Sequence, residues 1–276
     1  MHVGVIGTGN MGRILIEAMV ESEAVSQASV SIHNRTRSKA ENLQQQYPSL
    51  TVVDSPEALA ERCNLLFLCV KPKDMHALLE KIRPVLTKEQ CIVSITSPIS
   101  VEQLSQMSPC STARIIPSIT NRALAGVSLF TFSKTCTKEW RQMLWTFAEQ
   151  FSTPLEIDQS ITRVASDIIS CGPAFYAYMT RRFVQGATKE TMIQEETATK
   201  LAGEMLIGLG ELLKQGHYTL PTLQEKVCVK GGVTGEGIRV LEEELGDVFR
   251  HLFLATHEKF DEDVELVNRQ FQQSTT

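Results

Sequence analysis

Met1-His2-Val3-Gly4-Val5-Ile6-Gly7-Thr8-Gly9-Asn10-Met11-Gly12 opens the chain, and this stretch decides how the first half is read. Val3–Ile6 is a short apolar run of strand character, followed at once by glycines in the spacing GxGxxG. Each glycine has a separate task. Gly7 permits the tight turn, Gly9 lets backbone approach a pyrophosphate, and Gly12 lets the following helix pack close on the strand. Main-chain N–H groups at the start of that helix, including those of Asn10 and Met11, then face an anion together with the helix dipole. The strand–turn–helix context makes Gly7, Gly9, Asn10, Met11 and Gly12 a candidate dinucleotide site.

Working outward, short β-branched runs alternate with amphipathic stretches. Residues 3–6, 29–34, 51–53, 65–70, 91–95 and 112–117 read as strands, and 127–132 and 154–157 could extend the sheet. Helical patterns over 11–21, 37–46 and 75–86 lie between them, with Asp74 as a plausible N-cap of the third. The unalternating run Leu65-Leu66-Phe67-Leu68-Cys69-Val70 predicts a strand buried on both faces, as a parallel sheet covered by helices requires. Beyond about residue 158 strand signals vanish and helix-forming sequence continues to about residue 270. The spacing Ala198, Ala202, Leu206, Leu209, Leu212 draws an apolar stripe down one long helix, to be buried in the chain's own core or against a second subunit. The expected architecture is a doubly wound α/β Rossmann-type domain over residues 1–158, followed by an all-α domain over 159–276.

The end of the second strand selects the cofactor. An NAD site places a carboxylate there, about 20 residues after the glycines, for the ribose 2′-hydroxyl. This chain reads His33-Asn34-Arg35-Thr36-Arg37, with no acid. Arg35 and Arg37, with Asn34, Thr36 and the amides of the next helix, suit a 2′-phosphate, so NADP(H) is expected. Val70-Lys71-Pro72 closes the strand at 65–70, where open α/β sheets bind ligands; Lys71 could reach a ribose hydroxyl or phosphate.

The net charge of −5 is unevenly spread: residues 1–159 hold 15 Lys/Arg and 15 Asp/Glu, and residues 160–276 hold 12 and 17. That balance argues against a nucleic-acid partner, which needs a basic face. No apolar run approaches a membrane span and no basic leader precedes the first strand, so the expected location is the cytoplasm. The 7 cysteines include no CxxC and no Cys/His pair at metal spacing, so neither a disulfide framework nor a metal site is expected. The 6 histidines are scattered and suggest no acid–base pair. The acidic run Asp261-Glu262-Asp263 reads as a solvated helix face.

Taken together with Asn34-Arg35-Thr36, Val70-Lys71-Pro72, Gly172-Pro173-Ala174 and Leu223-Gln224-Glu225-Lys226-Val227 running into Gly231-Gly232, the chain resembles the pyrroline-5-carboxylate reductase family over nearly its whole length. More narrowly, Ala113–Gly126 and Val227–Gly237 resemble a branch of that family in bacilli linked to late competence. The resemblance implies reduction of a cyclic imine carboxylate to proline with NAD(P)H. It also implies dimerisation through interlocking C-terminal helices, sometimes within larger assemblies.

Carried over residue by residue, the resemblance implies that Ser166 lies near the imine nitrogen, where the family usually has Thr. It implies a carboxylate-binding loop at Val229-Lys230-Gly231-Gly232-Val233-Thr234, in which Thr234 and the glycines match but the family's Ser and Pro do not. The segment beside the nicotinamide, Met-Pro-Asn-Thr-Pro in the reductases, becomes Ile116-Pro117-Ser118-Ile119-Thr120 here, and Gly-Ser-Gly-Pro becomes Ser170-Cys171-Gly172-Pro173.

Hydride transfer to an iminium carbon needs positioning in a dry site more than ionisable side chains. Ser166 and Thr234 are therefore the candidate catalytic hydroxyls, and the Gly231-Gly232 amides with Thr234 could form a carboxylate nest. Lys230 adds a positive charge to that loop, where it could touch a small carboxylate substrate. Two functions stay open: an NADPH-dependent imine reductase, and a catalytically weak NADP(H)-binding relative with a regulatory role. A β-hydroxyacid dehydrogenase would need a lysine early in the helical domain; residues 160–188 have arginines but no lysine.

Overall fold

A computed structural model of the chain describes residues 1–272. Eight strands form one sheet in the order β3-β2-β1-β4-β5-β6-β7-β8. They are β1 Val3–Ile6, β2 Val30–His33, β3 Thr51–Val52, β4 Leu65–Leu68, β5 Cys91–Ser94, β6 Ser111–Ile116, β7 Val127–Phe132 and β8 Thr153–Glu156. All neighbours are parallel except β6 and β7, so the two expected extensions do join the sheet. Strand order reverses between β1 and β4, which pair from Val3 opposite Leu65 to Ile6 opposite Leu68. Ligands of open α/β sheets bind at the carboxyl end of such a reversal.

The helices of this part are α1 Asn10–Glu21, α2 Arg37–Gln46, α3 Pro56–Arg62, α4 Pro72–Ile82, α5 Val101–Met107, α6 Lys138–Glu149 and α7 Thr162–Ser166. Strand side chains alternate between the two faces, and the core is accordingly double. Val3, Val5, Phe67 and Val93 face α1, α2 and α6 through Leu15, Leu43 and Phe147. Ile6, Leu66, Leu68 and Ile92 face α3, α4 and α5 through Leu59, Leu79 and Leu104. This double burial is why β4 reads as an unbroken apolar run.

Two details differ from the sequence reading. Asp74 is not the cap of α4: the helix starts one turn earlier at Pro72 with Lys71 at the N-cap, because proline's fixed φ suits a first helical position. Helices α3, α5 and α6 were not picked out by periodicity. Each begins on a hydroxyl cap, Ser55, Ser100 and Thr137, accepting from the backbone N–H three residues on.

The remaining helices are α8 Gly172–Glu190, α9 Glu195–Lys214, α10 Leu220–Val227, α11 Val233–Leu245 and α12 Val248–Gln272. The boundary read at 158/159 lies just after β8. By compactness the chain divides differently, with residues 1–173 and 255–272 in one unit and Ala174–Leu254 in the other. The reason is local. Residues 159–173 pack on the sheet through Ala165 and Ile169, and the end of α12 buries Val267 among Leu79, Ile92 and Leu104. Gln103 Nε2 also donates to Asn268 Oδ1 at 2.9 Å. In the second unit, Ala198 and Ala202 pack with Val184 and Ile193. The stripe on α9 is buried only at that end, since Leu206 is 38% exposed and its neighbour Ile207 is 63% exposed.

Candidate functional site

At the carboxyl end of β1 the chain turns through Gly7, whose φ of +102° is open to glycine at little cost. A Cβ there would run into the carbonyl oxygen of Cys69, and one on Gly12 into the carbonyl of Gly7. Gly7 N–H donates to the His33 carbonyl at 2.8 Å, and Cys69 N–H donates to the Ile6 carbonyl at 2.8 Å. The turn is thus clamped between β2 and β4. Gly9 is the N-cap of α1, no side chain caps the first-turn amides, and a Cβ on Gly9 would meet nothing within 4 Å. An open approach to uncapped helix-end amides is what a pyrophosphate requires. Thr8 adds a buried hydroxyl with no hydrogen-bond partner.

Asn34 joins this turn to the next one. Its Oδ1 accepts from Thr8 N–H at 3.0 Å and its Nδ2 donates to the Thr36 carbonyl at 2.9 Å. Thr36 is the N-cap of α2, again with no side-chain cap. Arg35 is extended into solvent, 88% exposed, with only a 3.9 Å approach to Asp74. Arg37 is differently placed: Glu41 and Asp54 both bind its guanidinium, so it is more committed than Arg35, whose ion pair with Asp74 is a long approach. Val70 is half-buried and Lys71 exposed at the start of α4, beside Pro72. The expected cofactor residues are therefore gathered at the β1/β4 reversal and its β2 flank.

Ser166 ends α7. Its hydroxyl is 2% exposed and has no hydrogen-bond partner. Immediately after it, Asp167–Cys171 form one π-helical turn, with Gly172 N–H donating to the Asp167 carbonyl. Such bulges recur at functional sites. Asp167 is fully buried, paired with Arg163 at 2.7 Å, and accepts from Thr256 Oγ1 at 2.8 Å. Arg163 also lies 5.5 Å from the Phe260 ring centroid.

Sequence reasoning passed over Arg114, which is 2% exposed within β6. It donates to the Ser97 and Ile99 carbonyls at 3.0 and 3.2 Å, to Thr131 Oγ1 at 3.2 Å and to Thr162 Oγ1 at 2.5 Å. Burial pushes its guanidinium down to about 10. Arg114 thereby ties the segment after β5 to the start of α7. The available signal was a charged residue inside the apolar run Ala113-Arg114-Ile115-Ile116.

In the other unit, Gly231 has φ +76° and Gly232 is the N-cap of α11, with no side-chain cap. Val229 and Lys230 are exposed, Val233 is 90% exposed, and Thr234 lies in the first helical turn. The cysteines offer no activated thiolate at the candidate cofactor turn: burial raises the Cys69 thiol and pushes Cys63 up to about 11. No cluster of metal-ligating side chains occurs among the described residues.

Comparison with known proteins fits this geometry. Residues 159–263 match the family model for pyrroline-5-carboxylate reductase dimerisation. Residues 2–98 match a model described as NADP oxidoreductase, coenzyme F420-dependent. ComE operon protein 4 of Bacillus subtilis is 49% identical, over 98% of this chain and 99% of that protein. The chain belongs to the pyrroline-5-carboxylate reductase family. Pyrroline-5-carboxylate reductase 3 of B. subtilis is 29% identical over 98% of this chain and 99% of its own length. The fold agrees with solved members of the family. One is the Plasmodium falciparum pyrroline carboxylate reductase with NADP bound, at TM-score 0.82 and 18% identity, covering 97% of this chain and 98% of that one. The Streptococcus pyogenes 1-pyrroline-5-carboxylate reductase gives 0.79 at 18% identity, with the same coverage. Among the described residues, no helix is long and apolar enough to cross a membrane.

Proposed function

We propose that the chain is an NADP(H)-dependent oxidoreductase that reduces a small cyclic imine carboxylate of the pyrroline-5-carboxylate type. The observation that carries this reading is that two of the three buried hydroxyls without partners among the described residues fall at the candidate site, Thr8 at the glycine turn and Ser166 beside the π turn; the third, Ser108, follows α5. A buried hydroxyl without a partner costs free energy unless something supplies one. The cofactor half of the reading rests on the turn at Gly7–Gly12, Asn34-Arg35-Thr36 and Val70-Lys71-Pro72, together with the two family models.

When bound, NADPH supplies the hydride. The chain's own work is placement. Uncapped amides from Gly9 to Gly12 hold the pyrophosphate, and Arg35 with Thr36 and the first α2 amides take the 2′-phosphate. Lys71 reaches the ribose side from the end of β4. Ser166 would donate a hydrogen bond to the imine nitrogen as the imine takes its proton from solvent, and the resulting iminium carbon would then accept the hydride. The turn Lys230-Gly231-Gly232-Val233-Thr234 of the helical unit is suited to hold a carboxylate, with Thr234 donating and Lys230 contributing charge. In the helical unit, Phe183, Leu201 and Ile207 are 70%, 59% and 63% exposed, and a second copy of the chain covers them in a homodimer.

A second reading has its own support: 49% identity to a ComE operon protein, together with Ser118-Ile119-Thr120 and Val229-Lys230 where the reductases read otherwise. In it the chain binds NADP(H), turns over slowly and serves a regulatory role tied to competence. One experiment separates them. NADPH absorbance is followed with pyrroline-5-carboxylate, alongside NADPH binding measured by fluorescence. Turnover supports the reductase, tight binding without turnover the regulatory relative, and absence of binding removes both.

A further inference from the structure

Pro173 stands at the second residue of α8, directly after the π turn. Proline has no N–H, and its ring crowds the carbonyl four residues earlier. That carbonyl belongs to Ile169, and the donor it would have in α-helical register, the N–H four residues on, is the one Pro173 lacks. The structure supplies one from another element: Ser118 Oγ donates to the Ile169 carbonyl at 2.6 Å. One residue along on each side, Ser170 Oγ donates to the Pro117 carbonyl at 2.9 Å. Two hydroxyl–carbonyl bonds thus run in opposite directions between the segment leaving β6 and the π turn.

Ser118 is itself held. It is 1% exposed, its N–H donates to Asn121 Oδ1 at 2.8 Å, and Thr120 Oγ1 donates to its Oγ at 2.9 Å. Asn121, also 1% exposed, passes the restraint on through Nδ2 to the Ala125 carbonyl at 2.9 Å. The hydroxyl on Ile169 is therefore anchored to a buried polar network beside the sheet, and the carbonyl it captures lies three residues from Ser166.

We propose that Ser118 is a positioning residue, matched to Pro173: it fills the donor position that the proline vacates, and so sets the π turn that presents the Ser166 hydroxyl. This rests on the reading of Ser166 as the hydroxyl at the imine nitrogen, but the bond itself can be tested without that reading. The decisive comparison is a double-mutant cycle. Pro173→Ala restores an N–H that can reach the Ile169 carbonyl, so it makes Ser118 dispensable.

Hydrogen exchange of the peptide covering residues 166–172, in the full-length protein, is the readout. Ser118→Ala should raise exchange there by about tenfold, as expected for one buried hydrogen bond lost. In the Pro173→Ala background the same substitution should change it by less than about twofold. Ser170→Ala should also raise exchange, but Pro173→Ala should not rescue it, since Ser170 serves a different carbonyl; this variant keeps the test decidable if Ser118→Ala folds poorly. An equal effect of Ser118→Ala in both backgrounds, or no effect in either, overturns the pairing.

Turnover then tests the link to Ser166. Ser118→Ala should lower kcat/KM for pyrroline-5-carboxylate by tenfold to a hundredfold, with activity recovered in the double variant. If the wild-type chain does not turn over pyrroline-5-carboxylate, the reductase reading fails while the exchange result still decides the pairing.

Discussion

Two glycine-rich turns lead into helices in this chain, one ahead of α1 and one ahead of α11, and they are held in different ways. At the first, Gly7 and Gly12 are locked by backbone on both sides, since a Cβ at either would strike a carbonyl. The turn is further bonded to β2 and to Asn34. At the second, a Cβ on Gly232 would meet only Val229, and Gly231, Gly235 and Gly237 have nothing within 4 Å of theirs. The lesson is that similar composition can mark two kinds of site. The first turn is preorganised by its own unit before any ligand arrives, which lowers the ordering cost of binding. The second owes its shape mainly to the left-handed Gly231 and is open to whatever covers or binds it.

The largest expected effect tests the first half of that contrast. Gly12→Ala forces α1 away from β1, because the atom in the way is backbone and cannot rotate aside. Overpacking against backbone that cannot move aside belongs at the upper end of the usual range, about 3 kcal/mol; where that strain falls on the bound form of the turn, NADPH affinity should fall by about a hundredfold. Titration calorimetry on the folded variant checks it; an affinity within a few-fold of wild type would show that the turn is not preorganised as described.

Next in size is the cofactor's 2′-phosphate. Arg37 is occupied by Glu41 and Asp54, which leaves Arg35 as the less committed guanidinium at the β2–α2 turn. Arg35→Ala should weaken NADPH binding about tenfold to a hundredfold, the worth of a hydrogen bond between charged groups, and leave NADH binding unchanged. Equal losses for both cofactors would move the phosphate contact elsewhere.

Smaller still is the effect at the second turn. Gly235 lies inside α11 with free space around it, so Gly235→Ala should stabilise the helix by about 1 kcal/mol through propensity. Urea unfolding measures this. A destabilisation instead would mean that another chain lies against that helix, and would sharpen the proposal of a homodimer.

How much of this was legible beforehand follows the same division. Strands with an unbroken apolar character, such as Leu65–Leu68, and the spaced glycines announced themselves, because burial on both faces and close backbone approach leave direct marks on composition. Asn34-Arg35-Thr36 was legible as a site but not in its internal division: nothing local tells that Asp54, 17 residues from Arg37, would claim that arginine. The helices begun on Ser55 and Ser100 run for only 7 residues each, too brief for periodicity to reveal. Arg114 and the Ser118–Ile169 bond depend on contacts between segments far apart in sequence, 48 residues for Arg114 to Thr162 and 51 for Ser118 to Ile169. The return of Val267 to the first unit is of the same kind. Pro173 was visible in the sequence; the carbonyl it disturbs, and the donor that answers it, were not.

The smallest predicted effect probes how tightly the first unit is closed by its own side chains. Tyr47, after α2, donates to Glu21 Oε1 at the end of α1 at 2.8 Å, and Arg122 binds the same carboxylate. Burial, followed by the bond to Glu21, raises the Tyr47 phenol from 10.0 to about 12. A group whose folded value is raised contributes stability that is fully present below its unfolded value and is lost as pH rises through the folded one. The Tyr47 contribution should therefore be intact below about pH 10 and disappear toward pH 12. Ultraviolet titration should show one of the 4 tyrosines ionising near 12, and that step should vanish in Tyr47→Phe. The stability difference between wild type and Tyr47→Phe should narrow over the same interval. If Tyr47→Phe leaves the titration curve unchanged, α1 and α2 are not joined through this phenol, and the first unit is less closed than its contrast with the second turn requires.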